Sequence, residues 1–340
     1  MDCGRAGTHL IDYKGAIFGE SLGTIRAGWQ AEFGGDLENQ HTIAGPAGVS
    51  GIGLHTGVKV NLRLMPAPAN TGIVFIRTDL EGFAIEAQAR NIARVSYATS
   101  LMKMGVLIST TEHLLSALAA SQVDNVYVEL DNLEVPILDG SALPFCRLIA
   151  KAGLRRQRAR RTYAKVLRPV EIVEGARRFA VYPSATLRIS CRIAFPHPLI
   201  GEQSFDFVPA PGNYEAEIAP ARTFGFLEEV ETLRRSGLIR GGSLENAVVL
   251  SREGVVNAEG LRFPDEFCRH KVQDIVGDLA LLGHRLVGHI EAERSGHALH
   301  SALVERLLRE KGSWELVHST SVEPRASSVT SPELAPSPAA

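Results

Sequence analysis

The sequence predicts an α+β protein made of two similar two-layer sandwich units, each a sheet with helices on one face. Three observations lead to this class. Short runs in which apolar residues alternate indicate strands, and longer runs with apolar residues at helical spacing lie between them. The order helix, strand, helix then occurs at the end of each half of the chain. If the units pack with these equivalent helices facing each other, an active site that draws on both helices lies between the units.

Residues 41–157 form the first predicted unit. Alternating apolar residues over 58–64 predict a strand, and a cluster of Pro, Asn and Gly turns the chain into a second strand over 73–76. The other elements predicted for this unit are a helix over 111–120, a strand over 125–130 and a helix over 142–152. Pro144 suits the first turn of that last helix, where its missing N–H does no harm.

Residues 164–317 form the second predicted unit, which repeats the same order. Alternation over 187–193 predicts a strand. An insert around 224–250 has the pattern strand, helix, Gly-Gly turn, strand. The elements predicted after the insert are a helix over 265–282, a strand over 286–292 and a helix over 297–308.

The other segments are predicted to be connectors or tails. An arginine-rich run at residues 154–161 separates the two halves, and residues 158–163, which overlap the end of this run, are predicted to be the interdomain linker. Residues 1–40 are rich in Gly and have no apolar period, so they are predicted to be a poorly ordered extension. Residues 318–340 are rich in Ser, Pro and Ala, which predicts a disordered tail.

The composition indicates an ordinary globular protein. The chain has 340 residues, of which 45% are apolar, enough for two ordinary cores. A net charge of −2 gives no general attraction to nucleic acid or to an anionic membrane. Four scattered cysteines without a C-x-x-C pair argue against disulfides and against thiolate-bound zinc. No apolar run reaches the roughly 20 residues of a membrane span, and no secretory signal begins the chain, so a cytoplasmic location is expected. A monomer is the default expectation.

Two helical segments that are far apart in the sequence carry a candidate metal site. His270 and Asp274 are four residues apart, so on a helix they lie one turn apart on the same face and can hold one ion. His113 could complete a set of two imidazoles and a carboxylate that leaves a position for water, as catalytic zinc sites do. Glu112, next to His113, could accept the proton of that water. Alone, the H-x-x-x-D pair is a weak signal because it arises often by chance.

Seven motifs that occur in one order make the pattern specific. They are Gly53-Leu54-His55-Thr56-Gly57, Ser109-Thr110-Thr111-Glu112-His113-Leu114, Leu138-Asp139-Gly140-Ser141, Ala221-Arg222-Thr223-Phe224-Gly225-Phe226, Gly241-Gly242-Ser243, Arg262-Phe263 with Asp265-Glu266-Phe267 and Arg269-His270-Lys271, and Ser295-Gly296-His297-Ala298-Leu299. Over residues 42–314 the chain closely resembles the zinc-dependent UDP-3-O-acyl-N-acetylglucosamine deacetylases of lipid A biosynthesis. The resemblance implies a two-domain fold with zinc held between the domains, and hydrolysis of the substrate's N-acetyl group.

The same resemblance implies roles for residues around the metal. His297 matches the family's histidine acid, which gives a proton to the departing amine. Asp278 lies one turn beyond Asp274 on the same helix face and could hold His297 protonated and oriented. Thr223 could donate a hydrogen bond to the oxyanion of the tetrahedral intermediate. Together with Glu112, these residues make up the predicted catalytic set.

The resemblance also implies contacts with the substrate. Lys271 would bind the substrate's phosphates and would point about a quarter turn away from the metal ligands. Phe224 would pack on the sugar or on the acyl chain. The insert would form the passage for the acyl chain, where each buried methylene contributes about 0.8 kcal/mol. The insert residues predicted to bind substrate are Leu227, Val230, Ile239, Gly242 and Ser243.

Alternatives to this function stay open at this point. The same ligands would serve a zinc amidase that acts on another acylated amide or nucleotide sugar, and two imidazoles with a carboxylate also accept ferrous iron or cobalt. The arginine-rich run could instead belong to a non-catalytic RNA-binding α+β protein. Against RNA binding stand the balanced charge and the absence of aromatic residues among the arginines for base stacking.

Overall fold

The computed structural model describes residues 10–12, 39–93 and 97–318. The extension and tail predicted at residues 1–40 and 318–340 therefore lie almost entirely outside the described residues. Within the extension, the described strand Leu10–Asp12 pairs in parallel with a strand of the first sheet. The absence of an apolar period did not predict this pairing.

The first unit consists of a six-stranded sheet, two short strand pairs and two helices. Its strands are β1 Leu10–Asp12, β2 Asn39–Ile43, β3 Ala47–Ile52, β4 Lys59–Pro66, β5 Ile73–Arg77, β6 Phe83–Glu86, β7 Leu101–Lys103, β8 Val106–Ile108, β9 Val126–Leu130 and β10 Leu154–Arg160, and its helices are α1 Glu112–Ala120 and α2 Leu143–Ala152. The main sheet has the order β1-β3-β4-β9-β5-β6. Val60, Leu62 and Leu64 alternate along β4 and are fully buried, as predicted, whereas Val58 lies before the strand and is exposed.

The second unit has a five-stranded main sheet, two smaller sheets and four helices. Its strands are β11 Thr162–Val166, β12 Val170–Glu174, β13 Arg177–Tyr182, β14 Arg188–Ala194, β15 Glu202–Phe207, β16 Phe224–Phe226, β17 Val248–Ser251, β18 Gly254–Val255, β19 Arg285–Val287, β20 His289–Glu293 and β21 Trp314–His318, and its helices are α3 Asn213–Glu217, α4 Leu227–Arg235, α5 Glu266–Leu279 and α6 His297–Arg309. The main sheet has the order β12-β13-β20-β14-β15. The mixture of sheets and helices confirms the predicted α+β class.

Two predicted elements of the second unit differ in detail. The helix predicted over 265–282 is α-helical to Leu279 and continues as a 3-10 turn, Ala280–Leu282. The strand predicted over 286–292 is divided between β19 and β20, which belong to different sheets. The chain changes sheet at Gly288, where a Cβ would lie 2.9 Å from Cγ2 of Val166. Only glycine fits this crossing without a collision.

The two main sheets share one topology. Leaving out β1, we number the strands of each main sheet in chain order. Both sheets then have the spatial order first, second, fifth, third and fourth strand. The neighbouring pairs are antiparallel, antiparallel, parallel and antiparallel in both sheets. In both, one helix precedes the fifth strand and another follows it. This shared order supports the expectation of two similar units.

The units meet through α1 and α5, the equivalent helices that precede the fifth strand of each sheet. Their backbones approach so closely at Gly277 that a Cβ there would lie 2.1 Å from the carbonyl oxygen of Glu112. Ser116 on α1 donates a hydrogen bond of 2.8 Å to the carbonyl of Gln273 on α5. α1 is buried from Glu112 to Leu118, and at this contact the hydroxyl of Ser116 faces α5.

The arginine-rich run is a strand rather than a free connector, because β10 pairs antiparallel with β2. At its end Arg161 is only 2% exposed and donates two hydrogen bonds, of 2.9 and 2.6 Å, to the carboxylate of Asp124 in the first unit. Arg285 of the second unit donates to the same carboxylate at 3.2 Å. A buried guanidinium needs such a partner. The linker predicted over 158–163 therefore contacts both units, because Arg161 bonds to Asp124 and Tyr163 pairs with Arg285 of β19.

The insert has the predicted order of strand, helix and strand, as β16, α4 and β17. Its Gly-Gly turn lies against the first unit. The N–H of Gly241 donates to the carbonyl of Leu54 at 3.0 Å, and the N–H of Arg240 donates to the carbonyl of His55 at 3.2 Å. A Cβ on Gly241 would lie 2.2 Å from the carbonyl oxygen of Gly53, so a side chain there would prevent this docking.

Among the described residues the longest helix is α5, with 14 residues. No helix in those parts of the chain is both long and apolar enough to cross a membrane.

Candidate active site

His113, His270 and Asp274 lie together where α1 meets α5, and all three are buried. Nε2 of His113 is 3.7 Å from Oδ1 of Asp274, and Nε2 of His270 is 3.4 Å from the same oxygen. The two imidazole rings are nearly perpendicular, at 87°, with their centroids 5.0 Å apart. One donor atom of each residue lies within 4.8 Å of the other two, so a single cation could contact all three.

The hydrogen bonding of this cluster suits a cation. Oδ1 of Asp274 is buried and accepts no hydrogen bond, although buried carboxylate oxygens are normally satisfied. Nδ1 of His270 lies 3.2 Å from the carbonyl oxygen of Ala221, so Nδ1 carries the hydrogen and the lone pair is on Nε2. Burial lowers the pKa of His270 to about 3, which keeps the ring neutral. An unpaired carboxylate oxygen beside a neutral imidazole nitrogen is a donor set that a divalent metal ion satisfies.

Lys271 does not take the direction that the sequence predicted. Instead of pointing away from the ligands, its Nζ donates a hydrogen bond of 2.9 Å to Oδ2 of Asp274 and lies 5.7 Å from the ring centroid of Phe224. The flexible side chain of lysine lets the ammonium bend back along the helix. Burial acts to lower the pKa of Lys271, but Asp274 outweighs it and raises that pKa. Burial likewise acts to raise the pKa of Asp274, but His270 and Lys271 hold it well below its ordinary value.

Glu112 precedes the ligand His113 on α1 and is 3% exposed. Its Oε2 accepts a hydrogen bond of 3.0 Å from the N–H of Thr99, and its Oε1 lies 3.9 Å from Nε2 of His297. Burial raises the pKa of Glu112. A carboxylate with a raised pKa is a more effective general base near neutral pH than an ordinary one.

His297 begins α6 and faces Asp278, which lies one turn beyond Asp274 on α5. Nδ1 of His297 and Nδ1 of His300 are each 2.7 Å from Oδ2 of Asp278. Nε2 of His297 lies 3.9 Å from Oδ2 of Asp274, so the ring extends from Asp278 to the ligand cluster. Burial acts to lower the pKa of His297, but Asp278 outweighs it and raises that pKa to about 9. Burial acts to raise the pKa of Asp278, but His297 and His300 outweigh it and hold that pKa at about 2.

Known proteins resemble this chain over nearly all of the part just described. The family model described as LpxC, UDP-3-O-acyl N-acetylglycosamine deacetylase, matches residues 40–309. A UDP-3-O-acyl-N-acetylglucosamine deacetylase of Solibacter usitatus is 52% identical over 276 residues, which are 81% of this chain and 93% of the relative. Proteins of the same name from Myxococcus xanthus and a Geobacter species are each 46% identical, over 82% and 83% of this chain and 89% and 92% of their own lengths. The chain belongs to the UDP-3-O-acyl-N-acetylglucosamine deacetylase family.

Membership of the deacetylase family confirms the resemblance that the seven motifs indicated. The members of this family are amide hydrolases, so the expectation of a hydrolase is confirmed and a protein without catalysis is excluded. The family is one of metalloenzymes, and His113, His270 and Asp274 form a group that could hold a metal ion.

Thr223 and Phe224 follow Ala221, whose carbonyl accepts the hydrogen bond from His270. The N–H of Thr223 donates to the carbonyl of Gly140 at 2.8 Å, which fixes this segment against the first unit. The ring of Phe224 lies 6.2 Å from the ring of His270, centroid to centroid. Phe224 therefore borders the cluster of His113, His270 and Asp274, and Thr223 stands two residues after Ala221, whose carbonyl faces His270. Their roles toward the oxyanion and the substrate stay predictions.

The substrate contacts predicted in the insert are spread over its helix and its turn. No residue of α4 is buried, and Leu227 at the start of that helix is 49% exposed. Val230, Ile239 and Gly242 are half-buried, and Ser243 is exposed. Ile239 adopts a φ of +47°, in the left-handed region, and its carbonyl accepts a hydrogen bond of 3.0 Å from the N–H of Gly242. Apolar residues left exposed on an otherwise polar helix suit a surface that covers an apolar ligand.

Three buried residues that organise this site were missed by the sequence reasoning. Thr99 donates a hydrogen bond to Glu112 through its N–H and another to Asp278 through its hydroxyl. It lies outside the regular elements and outside every motif, so no sequence signal identified it.

The second is Glu134, a carboxylate that is 1% exposed. It accepts hydrogen bonds from the N–H groups of His55 and Thr56 and from the hydroxyls of Thr56 and Thr110. Thr110 stands two residues before Glu112 and has a φ of +59°. The polar residues of the two motifs were a signal that a buried acceptor must be present between them.

The third is Arg222, which is 2% exposed and forms an ion pair with the fully buried Glu266. Its Nε lies 2.9 Å from Oε1 of Glu266, and its backbone N–H donates to the same oxygen at 3.0 Å. The pair ties the segment that carries Ala221 and Thr223 to the first turn of α5. An arginine in one motif and an acidic residue in another were the signal for this pair.

Proposed function

We propose that this chain is a zinc-dependent hydrolase that removes the N-acetyl group of UDP-3-O-acyl-N-acetylglucosamine and releases acetate, a step of lipid A biosynthesis. The names of the relatives supply the substrate. The single observation that carries the chemistry is the buried, unpaired Oδ1 of Asp274 between His113 and His270. Glu112 and His297 stand beside it, so a metal site, a base and an acid share one location.

Zinc is the proposed metal because two imidazoles and one carboxylate leave a coordination position open, as in catalytic zinc sites. Nε2 of His113, Nε2 of His270 and Oδ1 of Asp274 would hold it. The bound ion would supply Lewis acidity that acidifies a water molecule and polarises the acetyl carbonyl. Ferrous iron and cobalt accept the same donors. Metal analysis of freshly purified protein, with activity measured after chelation and after re-addition of each metal, tests this choice.

The residues around the metal divide the proton transfers between them. Glu112 would accept a proton from the attacking water through Oε1 while the water oxygen bonds to the acetyl carbon. Thr223 would donate a hydrogen bond to the oxyanion that forms on the carbonyl oxygen. His297, kept charged by Asp278, would give its Nε2 proton to the nitrogen as the C–N bond breaks. The products are acetate and the free amine of the sugar.

The substrate would extend from this centre along the second unit. Lys271 and Phe224 would contact it next to the metal site, with the ammonium suited to phosphate oxygens. The insert residues Leu227, Val230, Ile239, Gly242 and Ser243 would enclose the acyl chain. Because each buried methylene contributes about 0.8 kcal/mol, hydrolysis should depend strongly on the presence of that chain.

Acetate release from UDP-3-O-acyl-N-acetylglucosamine and from UDP-N-acetylglucosamine, measured with the same metal-loaded protein, tests the proposed substrate. We expect a strong preference for the acylated compound. Equal rates on both compounds, or activity confined to another acylated amide, would contradict the proposal and favour a zinc amidase with a different substrate. Glu112→Ala, assayed in parallel with its metal content, shows whether the acetate comes from this protein.

We further propose that the enzyme works in the cytoplasm as a monomer. The support is that the described cysteines Cys146, Cys191 and Cys268 are free and buried, as expected in a reducing compartment. Both the metal ligands and the acid and base come from one chain. Light scattering at the protein concentration of the assay tests the monomer, and a stable dimer mass would contradict it.

A further inference from the structure

Thr99 is a fully buried threonine whose polar groups all bond to the elements that carry the candidate acid and base. Its N–H donates to Oε2 of Glu112 at 3.0 Å, and its hydroxyl donates to Oδ1 of Asp278 at 2.6 Å. The hydroxyl oxygen is also 3.2 Å from Nδ1 of His297. Its carbonyl accepts hydrogen bonds of 3.1 Å from both the N–H and the hydroxyl of Thr111, just before α1.

The direction of these hydrogen bonds determines where the proton of His297 sits. A threonine hydroxyl has one hydrogen, and Thr99 gives it to Asp278. Toward Nδ1 of His297 the hydroxyl can then only accept, so Nδ1 must carry a hydrogen, which it shares with Oδ2 of Asp278. When the ring loses a proton, the one that leaves is therefore on Nε2, the nitrogen that faces Glu112 and Asp274.

On the other side, the N–H of Thr99 orients the base. It occupies Oε2 of Glu112 and leaves Oε1 as the oxygen nearer to His297. The carbonyl of Thr99 is held by Thr111, at the N-terminal end of the helix that carries Glu112. One residue of the first unit thus touches the base on its own unit and the acid pair on the other.

We infer that Thr99 is a positioning residue of the hydrolysis: its hydroxyl orients the carboxylate of Asp278 that holds Nδ1 of His297, and its N–H fixes the orientation of Glu112. The inference rests on the proposed function for the meaning of acid and base. Thr99 touches neither the proposed metal ligands nor, by its contacts, a place for substrate, so its effect should be on turnover rather than on binding.

Two variants of Thr99 separate the hydroxyl from the shape of the side chain. Thr99→Val keeps the shape and the backbone contacts but removes the donor to Asp278, whereas Thr99→Ser keeps the hydroxyl and removes a methyl group. With metal-loaded enzyme, we expect Thr99→Val to lower kcat by about 10- to 100-fold with KM changed less than about twofold. Thr99→Ser should retain kcat to within about threefold. Wild-type kcat in Thr99→Val, or equal losses in Val and Ser, would overturn the inference.

Thr42 offers a matched control. It is also fully buried, and its hydroxyl accepts a hydrogen bond of 3.0 Å from the N–H of Ala67, within the first unit and apart from the acid and base. Thr42→Val should lower the melting temperature without lowering kcat. If Thr42→Val lowered kcat as much as Thr99→Val does, the loss in Thr99→Val would be one of general stability, and the positioning role would be wrong.

Nitrogen-15 NMR of the histidine rings tests the tautomer without any substrate. In the wild-type protein, Nδ1 of His297 should carry a hydrogen in the neutral ring. Thr99→Val should change the Nδ1 signal of His297, because the carboxylate of Asp278 loses the hydrogen bond that orients it, while Thr99→Ser should not. Identical ring signals in all three proteins would overturn the inference. A wild-type enzyme that releases no acetate from the acylated sugar would defeat the proposed function instead, because the ring signals do not depend on that substrate.

Discussion

Asp274 and Asp278 lie one turn apart on α5 and are equally buried, yet their carboxylates have different surroundings. Oδ1 of Asp274 accepts no hydrogen bond. In Asp278, Oδ1 accepts one from Thr99, and Oδ2 faces the rings of His297 and His300. A buried carboxylate oxygen without a partner costs free energy until a cation binds it, whereas a fully bonded carboxylate stabilises a neighbouring imidazolium. Asp274 is therefore suited to bind a metal ion, and Asp278 is suited to keep a proton on the neighbouring imidazole.

The histidines beside these two carboxylates differ in the same way. Burial acts to lower the pKa of both His270 and His297, but the pKa of His270 falls to about 3 while that of His297 rises to about 9. His297 is 2.7 Å from the carboxylate of Asp278, whereas His270 gives its Nδ1 hydrogen to a neutral carbonyl and lies 3.4 Å from Asp274. The bonding partner, and not the degree of burial, thus decides which histidine is neutral and which is charged.

The largest expected effect comes from removing one of the three proposed metal ligands. His113→Ala, His270→Ala and Asp274→Ala should each lose the metal and several orders of magnitude of activity, because two donors do not hold the ion in a catalytic position. Elemental analysis of the purified variants and acetate release measure the two effects. Full metal content in all three variants would show that these three residues are not the metal site.

A smaller loss of activity is expected when the proposed acid His297 or the proposed base Glu112 is changed. His297→Ala and Glu112→Ala should keep the metal and lower kcat by about 10²- to 10⁴-fold, the usual contribution of a general acid or base. Parallel metal analysis and kinetics test this separation. Loss of metal from His297→Ala would mean that His297 also helps to hold the metal.

The pH dependence of kcat should show the charge of His297 directly. The acid must be protonated, so the rate should fall as the pH rises through the pKa of about 9. Asp278→Asn removes the negative charge that raises this pKa, so the alkaline fall should move to lower pH, with kcat at neutral pH reduced about 10- to 100-fold. An unchanged pH profile in Asp278→Asn would contradict the assignment of the proton to this pair.

The pair of His297 and Asp278 should also make the stability of the protein depend on pH. The contribution of His297 to the free energy of unfolding should fall as the pH rises. Because the pKa of His297 is raised from 6.5 to about 9 on folding, its contribution to the free energy of unfolding is complete below pH 6.5 and is lost as the pH rises through about 9. The unfolding free energies of the wild type and Asp278→Asn, measured with denaturant across this range, should converge at high pH. A constant difference would mean that the ion pair does not form in the folded protein.

The smallest expected effect concerns Lys271, which donates a hydrogen bond to Asp274, one of the proposed metal ligands. Lys271→Met keeps the length of the side chain and removes the charge, so it should weaken metal binding by about tenfold, as changes next to ligands do. A competition assay with a zinc-binding dye measures this affinity. A higher KM with unchanged metal affinity would assign the lysine to the substrate alone.

The periodic parts of the molecule could be predicted from the sequence. Spacing of four residues placed His270 and Asp274 on one helical face, and the repeated order of elements indicated two units whose equivalent helices meet. The strand from Lys59 to Pro66 and the helices α1 and α6 follow the same apolar periods. These features depend on local backbone geometry, which a short stretch of sequence determines.

The parts that could not be predicted depend on contacts between distant residues. Thr99 has partners on α1, α5 and α6, and no local pattern marks a threonine that serves all three. The side chain of Lys271 bends back because a buried carboxylate attracts it, and this contact overrides the direction expected from helical spacing. The arginine-rich run became a strand because β2 pairs with it and Asp124 accepts the hydrogen bonds of Arg161.

The close approach at Gly277 has a consequence for how the enzyme takes up its ion. With the carbonyl of Glu112 against the Cα of Gly277, α1 cannot slide along α5 without a collision of main-chain atoms. We therefore expect the backbone that carries His113, His270 and Asp274 to keep its position when an ion binds. Crystals of the apo and loaded forms should superimpose at these helices, and the affinity for the ion is then determined by the identity of the three donors rather than by a closing motion of the two units.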